Sequence, residues 1–202
     1  MNSDSLLYDK KTAVISVVLM VLVSVFILGG NGLRAERRRI EAIFSGQNEL
    51  GIDNRQEAVL ILQNTANLLV VADRYADNAH VEQMSERIRM VMDSIVLPSP
   101  LHPTSEYDFV NVGELQFNTM DRALPHVREL LQIMESVPVS AASAAHLTEI
   151  DGNIIAAERR ISLNADYIGE ARDFNRLLRN PYTYVIATVR GLAPLPMAVN
   201  MR

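Results

Sequence analysis

Histidine and carboxylate side chains are the groups in this sequence best suited to bind a metal or transfer a proton. The four histidines lie far apart in the chain, and none follows a glutamate by three residues, the spacing that di-iron helical bundles use. Asp77-x-x-His80 is interpreted as a pair on a helix surface. Cysteine is absent, and there is no HExxH or GxSxG motif. We therefore predict no catalytic residue, no metal site and no cofactor. The histidines are His80, His102, His126 and His146.

A second group with possible chemistry is the basic cluster, defined as Arg34, Arg37, Arg38 and Arg39. It follows an uncharged stretch, where arginines can determine membrane topology or contact anionic lipid headgroups. Both roles are electrostatic, and both interpretations stay open. The net charge of −5 argues against nucleic acid as a partner, because such binding needs a broad basic face.

The uncharged stretch covers residues 12–33 and is rich in Val, Leu, Ile, Met and Phe. As a helix it would be about 33 Å long, close to the thickness of a bilayer hydrocarbon core. We predict one transmembrane helix here, after a short extension at 1–11, and expect the lipid bilayer as its partner. The alternatives are a signal peptide cleaved near Gly30-Asn31-Gly32 and a buried helix of a soluble protein.

The charges that flank the stretch predict its orientation. Lys10, Lys11 and the α-amine precede it, whereas the basic cluster follows it. The positive-inside rule therefore places the N-terminus outside and the bulk of the protein in the cytoplasm. The glycines of residues 29–32 predict a loose joint between this helix and the next one.

Beyond the stretch, apolar residues recur at helical spacing, and no βαβ pattern is visible. We predict an all-α antiparallel up-and-down bundle over residues 34–202. Asp53 predicts a helix start, and a long helix, or two in series, follows it up to a proline-rich connection at 97–103. A loop is predicted at 104–118 and a third helix at 119–136.

The last long helix carries a coiled-coil-like stripe of three-and-four spacing from Leu147 to Leu178, here called the seam. Asn164 and Asn175 are its polar residues. Each either pairs with a buried group and fixes helix register, or lines a polar groove. Asn64 and Asn67 are the predicted partners. A short apolar helix is predicted at 182–190.

Three segments carry a resemblance to a known family. They are the run Asn-Leu-Leu-Val-Val-Ala-Asp-Arg-Tyr-Ala at 67–76, Tyr167 with Phe174-Asn175, and Pro181 followed by Gly-Leu-Ala-Pro-Leu-Pro at 191–196. Together they resemble the LemA family of bacterial membrane proteins, over the chain from the anchor to the end. Ile168 stands where the first of the family's paired motifs has Asn.

The resemblance implies a membrane helix followed by a helical bundle, without catalytic activity. We therefore expect a membrane-anchored helical scaffold or interaction protein that acts through protein partners or self-association. An extracytoplasmic helical sensor or stress-response domain is the alternative.

Overall fold

The chain is described by a computed structural model over residues 3–47, 49–93 and 106–197, with side chains except those of 3–11, 22, 25 and 106–114. These ranges contain no strand, and the prediction of an all-helical chain is confirmed. They form α1 (Ser3–Phe44), α2 (Asn54–Ala72), a 3₁₀ turn (Asp73–Tyr75), α3 (Ala79–Met92), α4 (Glu106–Ser136), α5 (Ala141–Leu163), α6 (Ala165–Leu178) and α7 (Pro181–Val189).

Helix α1 is continuous through the glycines of 29–32, so the predicted loose joint is wrong. A glycine inside a helix costs about 1 kcal/mol of helix stability relative to alanine. Here the absence of side chains at Gly29 and Gly30 allows α7 to lie close to α1. The helix ends at Phe44, just before Gly46, whose φ of 86° lies in the left-handed region. That backbone conformation is easy for glycine and costly for most other residues.

The caps of α2 and α3 explain why the predicted long helix divides in two. The Asp53 carboxylate accepts hydrogen bonds from the backbone N–H groups of Arg55 and Gln56, at 2.9 and 3.3 Å. Asn78 caps α3 in the same way through His80 and Val81. Both caps satisfy N–H groups that a helix start leaves without an intrahelical partner.

Helix α4 begins at Glu106, so the loop predicted at 104–118 is wrong from that residue onward. Pro125 lies inside the helix and Pro138 lies beyond its end. The proline-rich connection at 97–103 lies outside the described residues.

The seam is divided between two helices, because α5 ends at Leu163 and α6 begins at Ala165. Ser140 caps α5 by accepting the N–H of Ser143 at 3.1 Å, as its sequence position predicts. Asn164 has φ −79° and ψ 59°, outside the helical region, and the single long helix predicted across it is wrong.

The chain forms two compact units. Unit 1 comprises Met1–Glu41 with Arg172–Leu195, and unit 2 comprises Ala42–Ala171 with Pro196–Arg202. The predicted bundle domain 34–202 is thus distributed over both.

In unit 2, α2 packs against α4 and α5, and α3 packs against α4. Cross-contacts show that α2 and α5 are antiparallel: Glu57 meets Arg160 at 2.7 Å near one end, and Tyr75 meets Ser143 at 2.9 Å beyond the other. The core is mainly aliphatic. Its large fully buried side chains include Ile61, Leu68, Ile88, Met120, Leu124, Leu130, Met134 and Ile154.

Candidate membrane anchor and partner groove

The apolar part of α1 is exposed on its surface. Among the described residues, the helix from Thr12 to Phe44 is the one that is long and apolar enough to cross a membrane, judged by length and composition. Only 6% of its most apolar stretch is buried in the protein. A core helix of a soluble protein would bury most of such a stretch, whereas this one presents a large apolar surface that water disfavours. The exposed side chains include Val14, Ile15, Val17, Val18, Leu19, Met20, Val21, Val23, Ile27 and Leu28.

Two residues of the basic cluster point at the C-terminal segment of unit 1. The Arg34 guanidinium donates to the carbonyl oxygen of Arg190 at 3.4 Å, and that of Arg37 donates to the carbonyl oxygen of Ala193. Arg37 also pairs with Glu41 at 2.6 Å. These carbonyls follow the end of α7, where a helix leaves acceptors without intrahelical donors. Arg34 and Arg37 therefore fasten the C-terminal segment to α1.

The other two residues of the basic cluster are exposed. Arg39 pairs with Glu36 at 2.7 Å, one helical turn before it. Arg38 has no ion-pair partner among the described residues. This exposed half of the cluster is the part that can reach lipid phosphates.

Helix α7 lies directly against the glycines of α1. A β-carbon built at Gly29 would be 3.2 Å from Cδ1 of Ile186, and one at Gly30 would be 2.5 Å from Nε of Arg190. The Arg190 guanidinium also donates to the carbonyl oxygen of Phe26 at 3.4 Å. The predicted short helix therefore exists, and its neighbour in unit 1 is α1.

Asn164 joins two helices of unit 2 at the break in the seam. Its amide nitrogen donates to the side-chain oxygen of Asn54 at 3.3 Å, and its own oxygen accepts the N–H of Tyr167 at 3.3 Å. Asn54 and Asn164 are both buried. The partner is thus Asn54, where Asn64 or Asn67 was predicted; Asn64 meets Asn153 instead, at 3.3 Å.

Asn175 makes a paired contact with the backbone of one residue in unit 1. Its amide nitrogen donates to the carbonyl oxygen of Leu195 at 2.9 Å, and its oxygen accepts the N–H of the same residue at 2.7 Å. This pattern imitates the pairing of two extended strands. Asn175 therefore holds the C-terminal segment on α6.

An aromatic group in unit 2 surrounds the end of α1. The ring of Phe44 lies 5.4 Å from that of Phe117, edge to face, and 5.0 Å from that of Tyr167. The Tyr167 hydroxyl donates to the carbonyl oxygen of Pro196 at 2.6 Å. A buried tyrosine needs such a partner for its hydroxyl.

A hydroxyl cluster joins the turn after α2 to the start of α5. The Tyr75 hydroxyl donates to Oγ of Ser143 at 2.9 Å and accepts the N–H of Ser140 at 3.0 Å. The hydrogen bond with Ser143, followed by those with Ser140, lowers the pKa of Tyr75. Since Ser140 also accepts the N–H of Ser143, the cluster ties the cap of α5 to the turn after α2.

A largely buried ion pair of unit 2 joins α4 to α5 through Arg128 and Glu158. Burial raises the pKa of Glu158, and the nearby Arg128 guanidinium opposes that rise without cancelling it. The pair therefore sits where desolvation of the carboxylate outweighs its attraction to the arginine.

Beside this ion pair, α4 and α5 enclose a groove of 740 Å³. Its walls are about half apolar, and its charged residues are Arg128 and the exposed acids Glu135 and Asp151. The sequence alone did not reveal it, because its residues lie on two helices and show no motif. The apolar residues that line it are Leu131, Met134, Val139, Ala144 and Leu147.

The histidines in the described part of the chain do not take part in a metal-ligand cluster. His146 lies 3.8 Å from Glu149 on the surface of α5, and no three His, Asp or Glu side chains come together there as metal ligands. His102 lies outside the described residues.

Comparison with known proteins identifies no relative: no protein-family model, no curated protein and no solved structure matches this chain.

Proposed function

We propose that this protein is a single-pass membrane-anchored helical scaffold of the LemA type, whose bundle faces the cytoplasm and binds a protein partner without catalysis. The observation that carries the proposal is the exposed apolar surface of α1 over residues 12–28. Lipid acyl chains cover such a surface without the free-energy cost that contact with water carries, and the rest of unit 1 does not bury it.

Retention of the anchor is supported by the course of α1. Cleavage at Gly30-Asn31-Gly32 would cut inside a continuous helix, at the point where Ile186 and Arg190 approach it. The removed part would take with it Phe26 and Gly29, which Arg190 and Ile186 contact. A signal peptide, by contrast, ends in an extended cleavage site that a protease can enter.

The groove between α4 and α5 is the surface to which we assign the partner. Its five apolar side chains suit the apolar face of an amphipathic helix, and its polar residues suit the edges of that helix, the common mode of recognition by helical grooves. The exposed Glu135 and Asp151 favour basic residues along the edge of that partner helix.

Anchoring is tested by extracting bacterial membranes that contain the full-length chain with alkaline carbonate. The full-length protein is expected to stay in the pellet at its uncleaved mass. A matched variant in which Val17, Val18 and Val21 are changed to Asp is expected in the soluble fraction. Release of the unmodified protein by carbonate would refute the anchor.

Partner binding is tested by site-specific photocrosslinking from the groove. A photoreactive residue at Leu131 is expected to yield a discrete protein adduct, and one at the exposed Gln63 on α2 is not. Self-association appears as an adduct of twice the chain's mass. Identical patterns from both positions would contradict the groove as the binding surface.

The second candidate function, an extracytoplasmic sensor, is favoured by the same groove, because 740 Å³ is within the range of small-ligand pockets. It predicts no protein adduct from Leu131 together with a soluble domain outside the cytoplasm. Labelling of a D173C variant in intact cells with a maleimide that does not cross the inner membrane separates the two functions.

A further inference from the structure

Helix α7 is uncharged from Pro181 to Val189, and one of its faces is apolar and exposed. Tyr182, Val185 and Val189 share that face because their spacing of three and four follows the helical period. They are 85%, 49% and 69% exposed. An exposed apolar face on so short a helix is unusual unless something covers it.

The position of α7 along α1 indicates what covers it. Ile186 and Arg190 contact α1 at Gly29 and Gly30, while Arg190 reaches back to the carbonyl of Phe26. Gly29 precedes Leu33, the end of the uncharged stretch, by about 6 Å of helix rise. α7 therefore lies beside the last turns of the proposed span, before the chain reaches the basic cluster.

We propose that the outward face of α7 lies in the headgroup region of the bilayer and forms a second, interfacial part of the membrane anchor. The proposal rests on the proposed span by α1 and extends it. Tyrosine suits this zone because its ring is apolar and its hydroxyl remains hydrated, and tyrosines collect at both membrane surfaces. Val185 and Val189 enter the boundary of the acyl chains, as the apolar faces of interfacial helices do.

Charge supports the same placement. Arg190 closes α7, and the exposed Arg38 and Arg39 follow one to two turns beyond Leu33 on α1. The Arg38 and Arg39 guanidinium groups lie beyond the proposed span, where lipid phosphates are found. Residues 12–33 of α1 and Pro181–Val189 of α7 carry no charged side chain, which favours lipid over a protein partner as the covering material.

The experiment uses the absence of cysteine from the chain, because any single introduced cysteine can be labelled uniquely. Full-length variants V185C and V189C, each carrying the fluorophore NBD, are reconstituted into nanodiscs of phosphatidylcholine and phosphatidylglycerol. V18C, in the proposed span, is the lipid-exposed reference. D173C is the aqueous control, since Asp173 is an exposed, charged residue of α6 outside the uncharged segments.

Lipids brominated near the top of the acyl chains are expected to quench NBD at Val185 and Val189 at least about threefold more than at Asp173, because only an inserted face reaches that depth. Lipids brominated at the chain ends are expected to quench Val18 alone. Circular dichroism confirms that each labelled variant keeps its helix content.

The outcomes separate the two proposals. If Val18 is quenched while Val185 and Val189 behave like Asp173, the anchor stands and the interfacial role of α7 is refuted. Labels on α7 that are shielded from both lipid and aqueous iodide indicate a protein cover and refute it equally. If Val18 itself escapes quenching, the proposed span fails.

Discussion

Asn164 and Asn175 occupy the same stripe of the sequence and behave differently in the two units. In unit 2, Asn164 leaves the helical region, ends α5, and bonds to Asn54. In unit 1, Asn175 stays inside α6 and uses its whole amide to hold the backbone of Leu195. A polar residue on an apolar stripe can therefore mark a break between helices or a clamp on an extended segment. Both residues continue the same three-and-four spacing, but their backbone conformations and their partners differ.

The largest loss of stability is expected from substitution of Tyr167, which is buried next to the break between α5 and α6. Tyr167 follows Asn164 by one helical turn, and its ring is buried against Phe44. Tyr167→Ala should lower the free energy of unfolding by about 3–5 kcal/mol through the cavity it leaves. Tyr167→Phe removes only the hydrogen bond to Pro196 and should cost about 1 kcal/mol. Guanidinium unfolding of the full-length protein in detergent, followed by circular dichroism, measures both; equal losses would contradict the account.

The next effect tests the break itself. Asn164→Leu removes the partner of the buried Asn54 oxygen and should cost about 1–3 kcal/mol in the same unfolding measurement. The matched control is Asn153→Leu, because the Asn153–Asn64 pair joins the same two helices at an exposed position. It should change stability by less than about 0.5 kcal/mol. If the Asn164→Leu variant is as stable as the parent, the buried amide pair is dispensable.

A smaller and local effect is expected in unit 1. Asn175→Ala should free the C-terminal segment and raise hydrogen exchange at the Leu195 amide about tenfold, with little change in exchange of the α2 and α5 core amides. Asn175→Asp keeps an acceptor for the Leu195 N–H and should preserve most of the protection. Unchanged exchange at Leu195 in the alanine variant would mean that Asn175 does not hold the segment.

The smallest effect concerns Glu158 and pH. Its pKa is raised by burial, so the fold favours the protonated carboxyl. That contribution to stability is complete below the usual glutamate pKa and is lost as pH rises through the raised value. The Glu158→Gln variant carries no charge at this position and should not show this loss. At neutral pH it should be as stable as the unmodified protein or more stable by up to about 1 kcal/mol. Parallel pH–stability curves for the two proteins would refute the assignment.

Local capping signals in the sequence were interpreted correctly. Asp53 and Ser140 each act through neighbouring backbone groups, so their effect is visible in a few consecutive residues. The short helix α7 was also predicted from its own composition.

The wrong predictions concern features that depend on contacts between residues far apart in the sequence. The glycines of α1 looked like a joint, but their small size serves α7, which lies far away in sequence. The break at Asn164 does not disturb the three-and-four spacing, although asparagine before Asp166 is a usable signal for a helix start. The groove between α4 and α5 depends on how helices pack, so no single segment reveals it.

Measurement of the membrane topology tests whether α1 is a retained anchor and whether the bundle faces the cytoplasm. Single cysteines at position 2 and at Asp173 are labelled in intact bacterial cells with a maleimide that does not cross the inner membrane, and the mass of each product is determined. With an external N-terminus and a cytoplasmic bundle, N2C is expected to react in intact cells and D173C only after lysis. Both variants are expected to retain their N-terminus. Reaction of D173C in intact cells would contradict the cytoplasmic bundle, and a chain shortened near Gly32 would contradict the anchor.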